Sequence, residues 1–143
     1  MSIEEHYRKL EKMYLSAPIN KYFNPSIEVK QKIALISIKV NPEMFHSAGG
    51  LHGSVYFKML DDAAFFAANS LENEYFVLTA TFTVKLVQPV ISGTLKCVGI
   101  IVKTEKNKWI SESVLYNDDV EVGFGSGVFM RGKLRLRDAI GYC

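Results

Sequence analysis

The chain has 143 residues, 48% of them hydrophobic and 22% charged, with a formal net charge of +2, a balance that suits one compact domain over residues 1–143. So mild a charge, without a basic stripe interleaved with aromatics, argues against nucleic acid as a partner. No apolar run reaches the roughly 18 residues of a membrane span, and residues 1–14 are amphipathic rather than a basic start before an apolar core, so no membrane association and a cytoplasmic location are expected.

Ser2 followed by Glu5 has the form of a capping box, and Tyr7, Leu10, Met13 and Tyr14 keep helical spacing. A first helix is predicted over residues 3–15, inside a helical extension over 1–18 that ends at Ala17-Pro18. Residues 19–25 read as a turn-rich link. Between Glu28 and Val40, Val29, Ile33 and Leu35 alternate and Ile36 and Ile38 then shift phase, which predicts one long strand with a bulge. A loop with His46, Gly49, Gly50 and His52 leads into residues 53–70, where the chain is free of proline and apolar on nearly every turn. That predicts a long buried helix. At about 100° per residue, Ser54, Lys58, Asp61, Asp62, Phe65 and Asn69 share one stripe of it, while Tyr56, Leu60, Ala63, Ala64 and Ala67 lie opposite. Beyond Glu74 the period becomes that of strands, predicted over 76–90, 95–104, 109–116 and 120–136, with turns at 106–108 and 117–119. Gly123, Gly125 and Gly127 should loosen the last of them. The order predicts an α+β fold, with one apolar central helix against an antiparallel sheet that ends in a four-stranded meander.

A carboxylate taken out of water costs several kcal/mol unless it is paired, so a helix that only fills a core rarely carries two. Asp62 is expected to pair with Lys58, four residues before it. His6 reads as a lone surface histidine. Cys97 and Cys143 are far apart, and His46, His52 and Asp61 have no standard ligand spacing, so neither a disulfide nor a metal is expected.

The run LHGSVYFKMLDDAAFFAANS resembles the hotdog-fold thioesterase superfamily and, within it, the phenylacetate-pathway-like acyl-CoA thioesterases. The resemblance rests on His52 and Gly53 at the helix start, Asp61 nine residues after that histidine, and Asn69-Ser70 near the helix end, with Ser54 in place of a second glycine and Pro89 after a later strand. It implies a hotdog fold, a long central helix wrapped by an antiparallel sheet, with the N-terminal helix as an addition. It also implies hydrolysis of an acyl-CoA or aryl-CoA thioester without a cofactor, in a homo-oligomer, dimer or dimer of dimers, whose sites are shared between subunits. The Gly53 amide would hold the oxyanion, and Asp61 from the partner subunit would act as general base or nucleophile. Phe57 and Phe65 beside Asp61 should raise its pKa. His46 stands where the family often has Asn or Gln, and Thr79 matches a Ser or Thr of the polar cluster.

Ser54, Tyr56, Phe57 and Phe65 are the expected acyl contacts. His52 is read either as a cap of the loop or as a substrate contact, and His46 either as an acid or base or as a solvated loop residue. Arg131, Lys133, Arg135 and Arg137 should share one strand face, either as a solvated row or as a contact for the phosphates of coenzyme A. Two other activities fit the same residues: a non-catalytic acyl-CoA sensor or carrier, and a hydratase or dehydratase using His46 and Asp61.

Overall fold

The computed structural model describes residues 1–143. Helix α1 (Ile3–Ser16) starts from the expected capping box, with Ser2 Oγ accepting the Glu5 N–H at 3.1 Å and the Glu5 carboxylate accepting the Ser2 N–H at 3.4 Å. Its buried face carries His6, Tyr7, Leu10, Met13 and Tyr14. His6 is therefore not a surface histidine. Its Nδ1 lies 2.7 Å from Tyr142 Oη and its Nε2 lies 2.9 Å from the Asn69 carbonyl oxygen. With both ring nitrogens satisfied inside the protein the ring can be buried, and burial lowers its pKa.

A short helix α2 (Asn20–Phe23) occupies the link after Pro18. Strands β1 (Ser26–Lys30) and β2 (Ile33–Lys39) replace the single strand expected over 28–40; they are an antiparallel hairpin closed at Gln31 and Lys32, with Lys32 at φ 66°. Gln-Lys carries none of the Asn-Gly or Asp-Gly turn signal. The phase shift of the apolar residues is its only trace in the sequence.

Helix α3 (Gly53–Asn69) is followed by β3 (Tyr75–Leu86), β4 (Thr94–Glu105), β5 (Lys108–Asn117) and β6 (Val120–Arg135). The six strands pair antiparallel in the order β1-β2-β4-β5-β6-β3. The meander thus holds for β4, β5 and β6 only. Its turns place Asn107, Asp118 and Asp119 at left-handed φ values of 56°, 46° and 71°. β3 pairs with β6 at the far edge, and residues 87–93 carry the chain back to β4. Alternation reveals which face of a strand is buried, not which strand lies beside it.

Helix α3 touches every strand. Six strands at about 4.8 Å span about 24 Å, twice the width of a helix, so the sheet has to curl around it. This is the hotdog architecture, with α1 and α2 added. The closest approach is at Gly99 on β4, where a β-carbon would stand 2.1 Å from the Ala63 carbonyl oxygen. Gly125 and Gly127 make room for the Phe82 ring in the same way and do not loosen β6, which extends over 16 residues; its register against β5 slips only beside Gly123, at Val122.

Asn69 leaves the polar stripe assigned to it and is fully buried. Its Nδ2 donates to the Glu72 and Tyr75 carbonyls, and its Oδ1 accepts the Val77 N–H at 3.0 Å. It fixes the passage from α3 into β3. The outer edge of β1 is covered, since Glu11 accepts the Val29 N–H at 2.8 Å and Arg8 donates to the Val29 carbonyl at 2.9 Å. β3, at the other edge, is exposed along most of its 12 residues. No helix is long and apolar enough to cross a membrane.

Candidate active site

His52 is the N-cap of α3: its Nδ1 accepts the Ser54 N–H at 3.0 Å and lies 2.7 Å from Ser54 Oγ. The ring does what a Ser or Asn cap does elsewhere. This engages the amide and hydroxyl of Ser54, while the Val55 N–H is taken by the His52 carbonyl at 3.0 Å. The Gly53 N–H has no partner within the subunit and stands at the positive end of the helix dipole. A β-carbon on Gly53 would meet only Leu86 Cδ1, at 3.5 Å, so packing inside the subunit does not demand glycine there.

His46 is exposed. Its Nδ1 accepts the Ala48 N–H at 3.1 Å, and a β-carbon on Gly50 would stand 3.4 Å from its Nε2, so the ring lies against Gly50. His46, Gly50, Gly53, Tyr56, Leu86 and Pro89 are among the residues lining a cavity of about 440 Å³. Tyr56 is a core residue at its wall, with its hydroxyl donating to the Gln88 carbonyl at 2.8 Å. Phe57 lines neither this cavity nor that of Asp61; it is 43% exposed and packs edge-on against Phe82.

Asp61 opens on a second cavity of about 330 Å³ that lies between the α1–α2 segment and β3, bordered by α3; Tyr14, Lys58, Phe65, Phe66, Phe76 and Thr79 line it. The Thr79 hydroxyl donates to Asp61 Oδ1 at 3.0 Å. Burial raises the pKa of Asp61; the Thr79 hydrogen bond opposes it, the neighbouring Asp62 charge adds to it and Lys58 subtracts, with the carboxyl pushed up to about 6. That is the range in which a carboxylate can serve as a base near neutral pH. Asp62 is engaged elsewhere, 2.6 Å from Lys58 Nζ as its spacing predicts, and it also accepts the Tyr14 hydroxyl at 2.7 Å. Tyr14 and the α1–α2 wall are the parts that the sequence does not reveal, because an apolar face on a first helix has the same spacing whatever it covers.

Gly53 and Asp61 lie on one helix about 12 Å apart along its axis, at 1.5 Å per residue. A reacting carbonyl has to sit roughly 3 Å from both. Within one subunit the free amide with His46 and the Asp61 carboxylate with Thr79 therefore lie at separate cavities, too far apart to reach one carbonyl together. His46 and Asp61 open on different cavities and are not gathered as a ligand set.

The four C-terminal bases are not one free row. Arg131 and Arg135 lie over the Tyr75 ring, at 4.1 and 5.1 Å from its centre, and pair with Glu72 and Glu74. Arg137 belongs to a 3₁₀ turn beyond β6, and Lys133 is exposed on the strand.

The family model of the thioesterase superfamily matches residues 48–124, more than half of the chain and the stretch that holds Gly53, Asp61 and Thr79, with His46 just outside it. No curated protein matches the chain. Among solved structures, the Escherichia coli PaaI protein from the phenylacetic acid degradation operon superposes with a TM-score of 0.83 at 18% identity, over 92% of this chain and 96% of that one. A thioesterase family protein from Silicibacter pomeroyi gives 0.79 at 18% identity, over 92% and 100%. A mutant of the phenylacetic acid degradation protein PaaI from Thermus thermophilus gives 0.73 at 13% identity, over 80% and 99%. At such identities the likeness is one of fold, and the family match carries the assignment: the chain belongs to the thioesterase superfamily and is a thioester hydrolase of hotdog fold.

Proposed function

We propose that the protein hydrolyses acyl-CoA thioesters in sites built from two copies of the chain, the Gly53 half-site of one facing the Asp61 half-site of the other. The observation that carries this reading is the 12 Å separation, at about 1.5 Å per residue, between a free helix-terminal amide and a base-strength carboxylate on the same helix. The exposed β3 edge, opposite a β1 edge already covered, is the surface through which two copies would pair, as dimer or dimer of dimers.

In the assembled site the Gly53 N–H receives the thioester oxygen. Asp61, held by Thr79, takes a proton from water as the water oxygen bonds to the carbonyl carbon. The oxyanion is stabilised at the amide, and when it collapses the C–S bond breaks. The proton passes from Asp61 to the departing thiolate, giving the free acid and coenzyme A. A β-carbon at Gly53 is not excluded by the subunit, so the reason for glycine is the approach of the substrate. His46, beside the amide, supplies a second donor to the carbonyl. Phe65, Phe66, Phe76 and Tyr14 give the 330 Å³ cavity an aromatic lining that suits an aryl or medium-chain acyl group. With Arg131 and Arg135 tied to glutamates, Lys133 on β6 and Arg137 just beyond it are the bases left for the phosphates of coenzyme A. The location is taken to be cytoplasmic.

Thiol release from a panel of acyl-CoA thioesters tests this. Wild type should turn over, and its kcat/KM should rise with pH through about 6 as Asp61 ionises. Asp61→Asn should lose about 10²–10⁴-fold, and Gly53→Ala about tenfold or more without loss of stability. No thiol release with saturable binding would make the protein a sensor or carrier. Conversion of an enoyl thioester without free thiol would make it a dehydratase.

A further inference from the structure

Lys58 has two carboxylates within its reach, Asp61 three residues ahead and Asp62 four residues ahead. Its ammonium is 2.6 Å from Asp62 Oδ2, and no hydrogen bond or ion pair joins it to Asp61. It also lies over two aromatic rings of the N-terminal segment, 5.2 Å from the centre of Tyr14 and 5.1 Å from that of Phe23. The Tyr14 hydroxyl donates to the same Asp62 oxygen at 2.7 Å. The lysine side chain is 14% exposed and that of Asp62 21%, so the pair is largely out of water and strongly committed to the partners it has.

Resting on the hydrolytic role given to Asp61 above, we propose that Tyr14 and Phe23 cage the Lys58 ammonium on Asp62 and so keep Asp61 free of an ion pair, making the N-terminal segment a positioning part of the catalytic site. The chemistry explains why this matters. A cation within 4–6 Å lowers a carboxylate by about 1–3 pK units, and a base so weakened takes a proton from water less well. Were Lys58 to settle on Asp61, the raised proton affinity that burial provides would be largely cancelled. The charged and titratable groups facing Asp61 are Lys58 and Asp62 from α3 and Tyr14 from α1. β3 faces it with the uncharged Thr79, and Cys97 of β4, a buried thiol pushed well up by that burial, lies on the Asp62 side. In the proposed dimer the partner subunit's His46 and the partner subunit's His52 would face it across the interface.

The test is a mutant cycle read on the titration of Asp61 itself, by carboxyl carbon NMR with the signal assigned from Asp61→Asn, beside the acidic limb of kcat/KM. Lys58→Met in the wild-type background removes a cation already held elsewhere and should raise the Asp61 titration by a few tenths of a unit. In Asp62→Asn protein, Lys58 is free to fall on Asp61, so adding Lys58→Met should raise the titration by about one unit or more. Equal shifts in the two backgrounds would overturn the proposal. Phe23→Leu changes no charge and provides the second arm. It should lower the Asp61 titration, and the effect should vanish in Lys58→Met protein; no shift, or one that survives there, would also overturn it. The NMR titration needs no turnover, so absence of thioester hydrolysis would sink the hydrolytic reading while this decision still stands on its own.

Discussion

At Asp61 the burial that raises its proton affinity also works against the fold. An acid whose folded pKa lies near 6, against an unfolded value near 3.9, favours the neutral form in the native state. Its contribution to stability is therefore fully present below about pH 4 and is lost as pH rises through about 6. The displacement of about two units corresponds to about 3 kcal/mol at full value, and solvent at the cavity mouth reduces this to about 1–2 kcal/mol. Asparagine keeps the volume and can still accept the Thr79 hydroxyl. Asp61→Asn should accordingly be about 1–2 kcal/mol more stable than wild type at pH 7.5 and equal to it at pH 4. Thermal unfolding at both pH values reads this, and a variant that melts lower at pH 7.5 would contradict it. The pairing of Asp62 with Lys58 is legible in the sequence, because Lys58 stands four residues before it. The Tyr14 hydroxyl that completes the arrangement is not, since 48 residues of chain separate it from Asp62.

Among the elements, the passage from α3 to β3 hangs on Asn69. Three backbone groups, the carbonyls of Glu72 and Tyr75 and the N–H of Val77, have their partners on this one buried amide. In Asn69→Leu they would be left without it inside a dry region, at a cost of about 2–5 kcal/mol. Urea unfolding should show that loss, and thiol release should fall too, because β3 carries Thr79 to Asp61; a loss under about 1 kcal/mol would count against the assignment. Helices α1 and α3 are legible because a capping box and a 3.6-residue period are local properties of the chain. The Gln31-Lys32 hairpin is hidden because those residues form the turn without the usual composition, Lys32 accepting φ 66°. The placement of β3 beside β6 is hidden for a different reason, since pairing is decided by how the sheet curls round α3 and not by anything within the strand. Gly125 and Gly127 in β6 mislead in the same way: they leave room for the Phe82 ring, which lies on another strand.

For the whole molecule, the proposed site exists only where two copies meet, so turnover should depend on the assembly and not on the single chain. The Arg8 and Glu11 contacts on Val29 then acquire a meaning beyond the packing of α1. A sheet with two sticky rims can add copies at both ends without limit, whereas a sheet with one can only pair with its like and stop. In the proposed assembly, two side chains of the first helix, by occupying the main-chain groups of Val29, would act as a terminator that stops growth at this rim. Removing them together, as Arg8→Ala with Glu11→Ala, should leave the Asp61 chemistry untouched yet shift the protein on size-exclusion chromatography with light scattering towards larger, concentration-dependent species. An unchanged particle size would show that growth is stopped by something else.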